Sequence, residues 1–399
     1  MKRTVLLALF ATLTANLAWA SQESKNENRH ENETPETENA GEFEEAPAWT
    51  LQQAIAPATK EWKQSQVATT PQFGGYIIGS YKYDGAPAAN GGDGFNLRLV
   101  RLYVSGTVMT DFKYRLQVEV NGTPHIKDAT LEWVHWKGLQ LKVGQFKRAF
   151  GLENPMNPWD IGSGDYSQLT KKLAGMGDRV GEASMGGRDL GLQLQGDLLK
   201  ARDNHYQLHY QLGVFNGQGI NQKDLNKQKD VMGTIQWSPL KNLTVGAFGW
   251  IGNWHSKEKG IDLDRKRYAF SLRYKEPVSG FSLRSEYAHS FGRKASDWDA
   301  VNQCWTAQSL AQNGGDKADA WYVLAGMPVW RWITLNLKYD AYRDYATWDS
   351  MHTIYSAIVD LQPHSNLKLQ LQYNYNDDRT PISGQSHYSQ FWLQSYVRF

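Results

Sequence analysis

From Gln72 onward the chain alternates apolar and polar residues in short runs with a period of two. The clearest run is Leu367-Lys368-Leu369-Gln370-Leu371-Gln372-Tyr373-Asn374-Tyr375, apolar at every odd position and polar at every even one. Successive side chains of a strand point to opposite faces, so this run is a strand lying between two unlike environments. Comparable runs occupy 72–81, 95–107, 111–121, 127–136, 138–146, 188–196, 205–215, 230–238, 243–252, 265–275, 281–289, 320–328, 332–340, 352–361, 367–375 and 388–399, sixteen in all.

The connections between these runs sort by length. Those after even-numbered strands are short, as at Met109-Thr110, Lys137, 239–242, Trp330-Arg331 and 362–366. Those after odd-numbered strands are mostly long, with 122–126 the one short member. Short turns on one side and long loops on the other are the habit of outer-membrane barrels. The fold class predicted is therefore all-β: a transmembrane antiparallel β-barrel of about 16 strands with a long constriction loop. That loop, 147–187, has no sustained period and carries Lys147, Arg148, Lys171, Lys172, Arg179, Phe150, Trp159 and Tyr166. A connection this long is usually functional or disordered. The expectation is that it narrows the lumen; the alternative is an external surface loop.

The chain before the barrel reads differently. Lys2 and Arg3, the apolar run Val5 to Leu17 and Ala18-Trp19-Ala20 match a secretory signal over 1–20, with the mature chain starting at Ser21. Residues 21–70 hold ten Glu against four Lys and Arg, an acidic, mostly disordered periplasmic segment in which 49–67 could form a short helix. The barrel is then 71–399, with 37 basic and 31 acidic residues. Mean hydropathy is −0.59, and no other stretch approaches the roughly 20 apolar residues of a spanning helix. The only cysteine, Cys304, excludes an intramolecular disulfide and should sit free in a loop.

If apolar positions face lipid, the polar parity of each strand faces the lumen. In 112–121 this places Lys113, Arg115, Gln117 and Glu119 inside. The same rule turns Lys142, Arg267, Arg273, Arg284, Lys338 and Lys368 inward. The run 96–102 changes parity near Leu99, so a bulge there would let Arg98 and Arg101 both reach the lumen. Glu119, Glu132, Glu286 and Asp340 share these faces and would pair with some of the cations. The cations then have two readings, an anion path or ion pairs that stiffen a hydrated wall. His205 and His209 lie on one strand face but roughly 13 Å apart, too far to share a metal. Trp133, Trp237, Trp250, Trp330, Trp332 and Tyr396 read as interfacial girdles, the alternative being an inward aromatic track for sugars. No set of Ser, His and an orienting residue suggests an enzyme. No cofactor, metal or nucleic-acid motif is expected.

The last run puts Phe399, Val397, Leu393 and Phe391 on one face, with Ser395 interrupting. A terminal aromatic on such a strand resembles the signal by which Gram-negative barrels engage their assembly machinery. At Val143-Gly144-Gln145-Phe146-Lys147-Arg148-Ala149-Phe150-Gly151-Leu152-Glu153 the sequence resembles the phosphate-selective porin O and P family. Further resemblance lies in Phe95 to Gly106, Asp128 to Trp133 and Tyr396-Val397-Arg398-Phe399, so that it extends from Gln72 to the end. The resemblance implies a sixteen-stranded outer-membrane barrel assembled as a homotrimer, with loops folded into each pore. It also implies an arginine ladder and a lysine cluster that pass anions, here at Arg98, Arg101, Arg115 and Lys142, with Lys147 and Arg148 where the loop begins.

The function expected is a passive outer-membrane porin for small anions, phosphate among them, in which fixed cations concentrate the permeant ion. The neutral mature charge and interleaved carboxylates keep a general or sugar-permeable porin, or a structural barrel, as alternatives.

Overall fold

The structure, a computed structural model, describes residues 70–86, 93–306, 310, 315–381 and 384–399. The expected signal, the acidic segment up to residue 69 and the helix within it lie outside these residues.

Strands β1 (Gln72–Asp84), β2 (Gly94–Val108), β3 (Phe112–Glu119), β4 (His125–Trp136) and β5 (Leu139–Lys147) lead into the long loop. That loop holds helix α1 (Gln168–Lys172) and a hairpin of β6 (Gly177–Asp178) and β7 (Ala183–Ser184). Next come β8 (Arg188–Lys200), β9 (Tyr206–Phe215), β10 (Asp230–Leu240), β11 (Leu243–Ser256), β12 (Ile261–Lys275) and β13 (Ser282–Phe291). A second hairpin, β14 (Trp298–Asp299) with β15 (Cys304–Trp305), precedes β16 (Lys317–Trp330) and β17 (Ile333–Arg343). Finally come β18 (Met351–His364), β19 (Leu367–Asp378) and β20 (His387–Arg398). Apart from the two hairpins, all strands form one closed antiparallel barrel of sixteen in chain order. It closes where β20 pairs with β1, from Tyr76↔Arg398 to Asp84↔Gln390.

The alternation is inside out relative to a water-soluble protein. In β19, Lys368, Gln370, Gln372, Asn374 and Asn376 are buried, while Leu367, Leu369, Tyr373 and Tyr375 are exposed. Elsewhere Leu337 and Ile251 are 65 % and 64 % exposed, which makes sense only against lipid. Cys304 is free and exposed, in β15. Two of the expected girdle aromatics are misplaced by that reading. Trp250 and Tyr396 are fully buried on the lumen side, whereas Trp237, Trp330 and Trp332 are exposed outside. Trp250 shares the parity of buried Phe248, and Tyr396 that of buried Gln394, so strand position outweighs the general preference of aromatics for the interface.

The expected bulge lies at Arg98: Ile78 pairs with Leu99 and Gly79 with Leu97, leaving Arg98 extra. A bulge disrupts the ladder locally. Here the Asn121 carboxamide takes up the slack, accepting from Val100 N at 2.9 Å and donating to Arg98 O at 3.1 Å.

Candidate functional site

The loop between β5 and β8 crosses the lumen and fastens to the far wall. At its start, the Glu286 carboxylate of β13 accepts Leu152 N at 2.6 Å, Glu153 N at 2.8 Å and the Tyr322 hydroxyl at 2.7 Å. Lys368 of β19 donates to Trp159 O at 2.6 Å, and the Trp159 ring packs edge-on against Tyr396. Gln372 accepts Gly164 N at 2.6 Å, and Asp340 of β17 accepts Gln168 N at 3.1 Å. Ser167 caps the short helix, its hydroxyl accepting from Thr170 N at 3.2 Å and donating to buried Glu153. The return limb is held by Asp178, fully buried between Arg265 and Arg267 of β12. Trp250 lies under Arg148, Arg265 and Arg267, with guanidinium carbons 4.9, 4.9 and 4.4 Å from its ring.

Several candidate cations are thereby engaged in holding the loop. Arg267 binds Asp178 and Leu173 O. Arg284 binds Glu153 Oε1 at 3.4 Å and Ile161 O. Lys338 pairs with Asp340 at 3.0 Å, and Lys368 holds Trp159. Arg148, fully buried, donates to Gly175 O at 2.8 Å and lies 3.7 Å from Asp189. Arg98 reaches from the bulge to Asp165 of the loop at 3.0 Å, and Asp165 also takes Lys171. Arg273 is exposed near the end of β12. Of the acids expected to pair with cations, Glu286 instead takes backbone N–H groups of the loop, and Glu132 takes Gln195.

With the loop against β12 to β20, a cavity of about 300 Å³ remains beside the opposite wall. Arg101, Arg115, Lys142, Lys147 and Arg148 all line it, together with Arg188. Their neutralisation is uneven. Arg101 donates to Glu119 at 2.6 Å and to the Tyr76 hydroxyl at 2.8 Å. Arg188 grips Asp128 with two bonds of 2.8 and 3.1 Å. Arg115 stacks over Tyr103, 4.2 Å from its ring, and Gln117 is best satisfied with its amide oxygen 3.2 Å from Arg115 Nη2. Lys142 lies over Phe146 at 5.1 Å. Lys147 donates to Asn154 O, Met156 O and the Tyr166 hydroxyl at 2.8, 2.5 and 3.1 Å. Among the described residues, no carboxylate forms an ion pair with Arg115, Lys142 or Lys147.

Lys142 and Lys147 are an odd number of residues apart, so a regular strand would turn one outward. Gly144 lies between them at φ +115°, and a Cβ there would meet Ala129 O at 2.0 Å. A left-handed residue in close backbone contact requires glycine; Phe146 still shares the lumen face of Lys142, so it is the end of β5 that brings Lys147 to the cavity, beside its register partner Arg188.

Sequence parity missed Arg188. Leu190, Leu192 and Leu194 are exposed to lipid, and the same count assigns Arg188 to their face; the end of the strand turns it inward onto Asp128. Asp178 and Asp230, which both pair with Arg265, were missed because their partner comes from a distant segment; Arg265 itself has the inward parity of Arg267, at the first position of the same run.

A closed sixteen-stranded barrel with an apolar outside, a polar lumen and a loop folded within it defines an outer-membrane porin of the Gram-negative type. No curated protein sequence matches the chain. The family model described as phosphate-selective porin O and P matches residues 72–249, from the start of β1 into β11. Among solved structures it resembles an anion-selective porin from Comamonas acidovorans, with TM-score 0.59 and 15 % identity over 82 % of this chain and 98 % of that one. OmpT of Vibrio cholerae, in its trimer form, gives 0.55 and 13 % over 83 % and 99 %. The outer membrane channel DcaP of Acinetobacter baumannii gives 0.53 and 13 % over 82 % and 97 %. At these identities the likeness is one of fold.

Proposed function

We propose that this porin passes small anions by passive diffusion along the wall formed by β2 to β5 and β8. The observation that carries this is the pair Arg115 and Lys142, two cations lining one cavity without a carboxylate partner among the described residues, beside Lys147, whose three N–H bonds go to oxygens of the loop. Fixed, uncompensated charge in a confined low-dielectric passage raises the local concentration of counter-ions. It also replaces part of the hydration shell that an anion leaves behind. Of the carboxylates of that wall, Glu119 is paired with Arg101 and Lys127 and Asp128 with Arg188, while Glu132 accepts from Gln195. Phosphate is one anion such a site would take, and the family match supports that reading. Arg98, at the loop contact, and Arg273, exposed at a strand end, would extend the cationic path beyond the cavity.

A homotrimer fits this reading, since the OmpT neighbour is described in a trimer form. We further propose that the chain is exported on its first twenty residues and assembled through the strand ending at Phe399. The test is the reversal potential of the purified protein in planar bilayers under a potassium chloride gradient. Anion selectivity that weakens in Arg115→Ala and Lys142→Ala supports the reading; equal permeability to both ions, unchanged in the variants, refutes it.

A further inference from the structure

The cavity beside the loop is unlike a site for a bare inorganic anion. Its two cations without a carboxylate partner, Arg115 and Lys142, share the wall with the carboxamides of Gln193, Gln195 and Gln211, neutral groups that both donate and accept. The loop adds apolar lining through Pro155 and Pro158. Gln193 is 3 % exposed and donates to Gln195 Oε1 at 2.8 Å, while its own Oε1 has no partner. An amide oxygen repels a bare anion and is satisfied by a hydroxyl; hydrogen phosphate carries only one or two such donors on a single centre, whereas a hydroxylated carbon chain carries several, spaced to reach more than one carboxamide. The volume, about 300 Å³, is at the low end of pockets that enclose whole organic ligands. It is about ten times the share of one water in the liquid.

Charge, neutral two-way hydrogen bonding and apolar lining together suit a ligand with one anionic group on a hydroxylated carbon skeleton. We propose that the constriction prefers anionic carbohydrates, that is, sugar acids or sugar phosphates, over inorganic phosphate. The anionic group pairs with Arg115 or Lys142, the hydroxyls meet the carboxamides, and the C–H face of the sugar lies on the prolines. This rests on the anion-channel reading and adds the substrate class to it.

The experiment uses the full-length protein in planar bilayers carrying chloride current, with gluconate, glucose 6-phosphate, neutral glucose or inorganic phosphate added. Gluconate and glucose 6-phosphate should each block the current at concentrations several-fold lower than phosphate, and glucose should block weakly. Similar block by both sugar anions would assign recognition to the shared skeleton; block by one alone would assign it to carboxylate or to phosphate and narrow the class. Gln193→Leu should remove the advantage of the sugar anions over phosphate, and Gln211→Leu gives the same comparison should the first variant fail to assemble. An anion-selective channel that phosphate blocks as well as the sugar anions do overturns this proposal and leaves the anion channel standing. A wild-type channel without anion selectivity overturns both.

Discussion

The Glu286 carboxylate, on the barrel wall, accepts the backbone N–H of Leu152 at 2.6 Å although 134 residues separate the two. The same carboxylate takes Glu153 N and Tyr322, so one side chain fixes the direction in which the loop enters the lumen. Glu286→Ala leaves these buried groups without an acceptor, at about 1–3 kcal/mol for each unsatisfied group. Single-channel recordings should show larger and noisier conductance as the loop loosens. Conductance identical to wild type would mean that the remaining anchors suffice.

Arg115 and Arg267 should separate selectivity from stability. Arg115→Ala is expected to move the reversal potential toward zero with little change in urea resistance. Arg267→Ala withdraws one of two guanidinium groups from Asp178; breaking a buried pair outright costs about 3–5 kcal/mol, and Arg265 retains part of that. Its unfolding midpoint should fall clearly. Equal effects of the two variants on both measurements would contradict the roles assigned.

Asp165 binds Arg98 and Lys171 at the edge of the passage. Asp165→Asn removes a negative charge and leaves both cations to permeant ions, so the anion-to-cation permeability ratio should rise. An unchanged ratio would place Asp165 outside the path.

Asp344, between β17 and β18, joins Arg179 of the loop at 3.1 Å and Lys294 of the connection after β13 at 2.8 Å. Burial alone would raise the Asp344 carboxyl, but Arg179, Lys294 and Tyr342 hold it below its ordinary value. Burial would lower the Lys294 amine, but Asp344 and Tyr345 leave it raised. A depressed carboxyl contributes stability above its unfolded pKa, lost as the pH falls through the folded value; a raised amine contributes below its unfolded pKa, lost as the pH rises through the folded value. The clamp should therefore persist at neutral pH and weaken only below about pH 4 or above about pH 10. Limited proteolysis of the connection after β13 measures this. Cleavage should stay slow between those limits and become fast at pH 7 in Asp344→Asn.

Gly144→Ala should impair assembly of the barrel. The added methyl meets Ala129 O and the residue keeps a left-handed φ, a strain of about 1–3 kcal/mol before the clash is counted. The folded fraction on unheated gels should drop, and a fully folded variant would mean that β5 relaxes there.

The barrel was legible because a lipid–water boundary imprints itself on every residue of a strand. The run at 367–375 lies inside the observed β19, and the run at 265–275 missed only the beginning of β12 at Ile261. Parity also found Arg115 and Lys142, whose neighbours alternate cleanly. It failed at Arg188, where the strand ends, and residue type misled at Trp250 and Tyr396. The anchors of the loop were beyond local reading. Glu286 was expected to pair with a cation, and nothing near it in the chain announces that it meets Leu152 across the lumen.

Although the hydrogen-bonded ring is continuous, its arcs carry different tasks. The cations that line the cavity lie on β2 to β5 and at the start of β8, within the residues that match the family model. Most of the wall groups that fasten the loop, Arg267, Glu286, Asp340, Gln372 and Lys368 among them, lie beyond residue 249, although Arg98 lies before it. Changes in the first arc can therefore retune what passes without unfastening what makes the passage narrow. A lineage carrying this barrel could exchange one nutrient for another by a few substitutions, and a chimera grafting 72–249 from a relative would tend to bring that relative's diet with it.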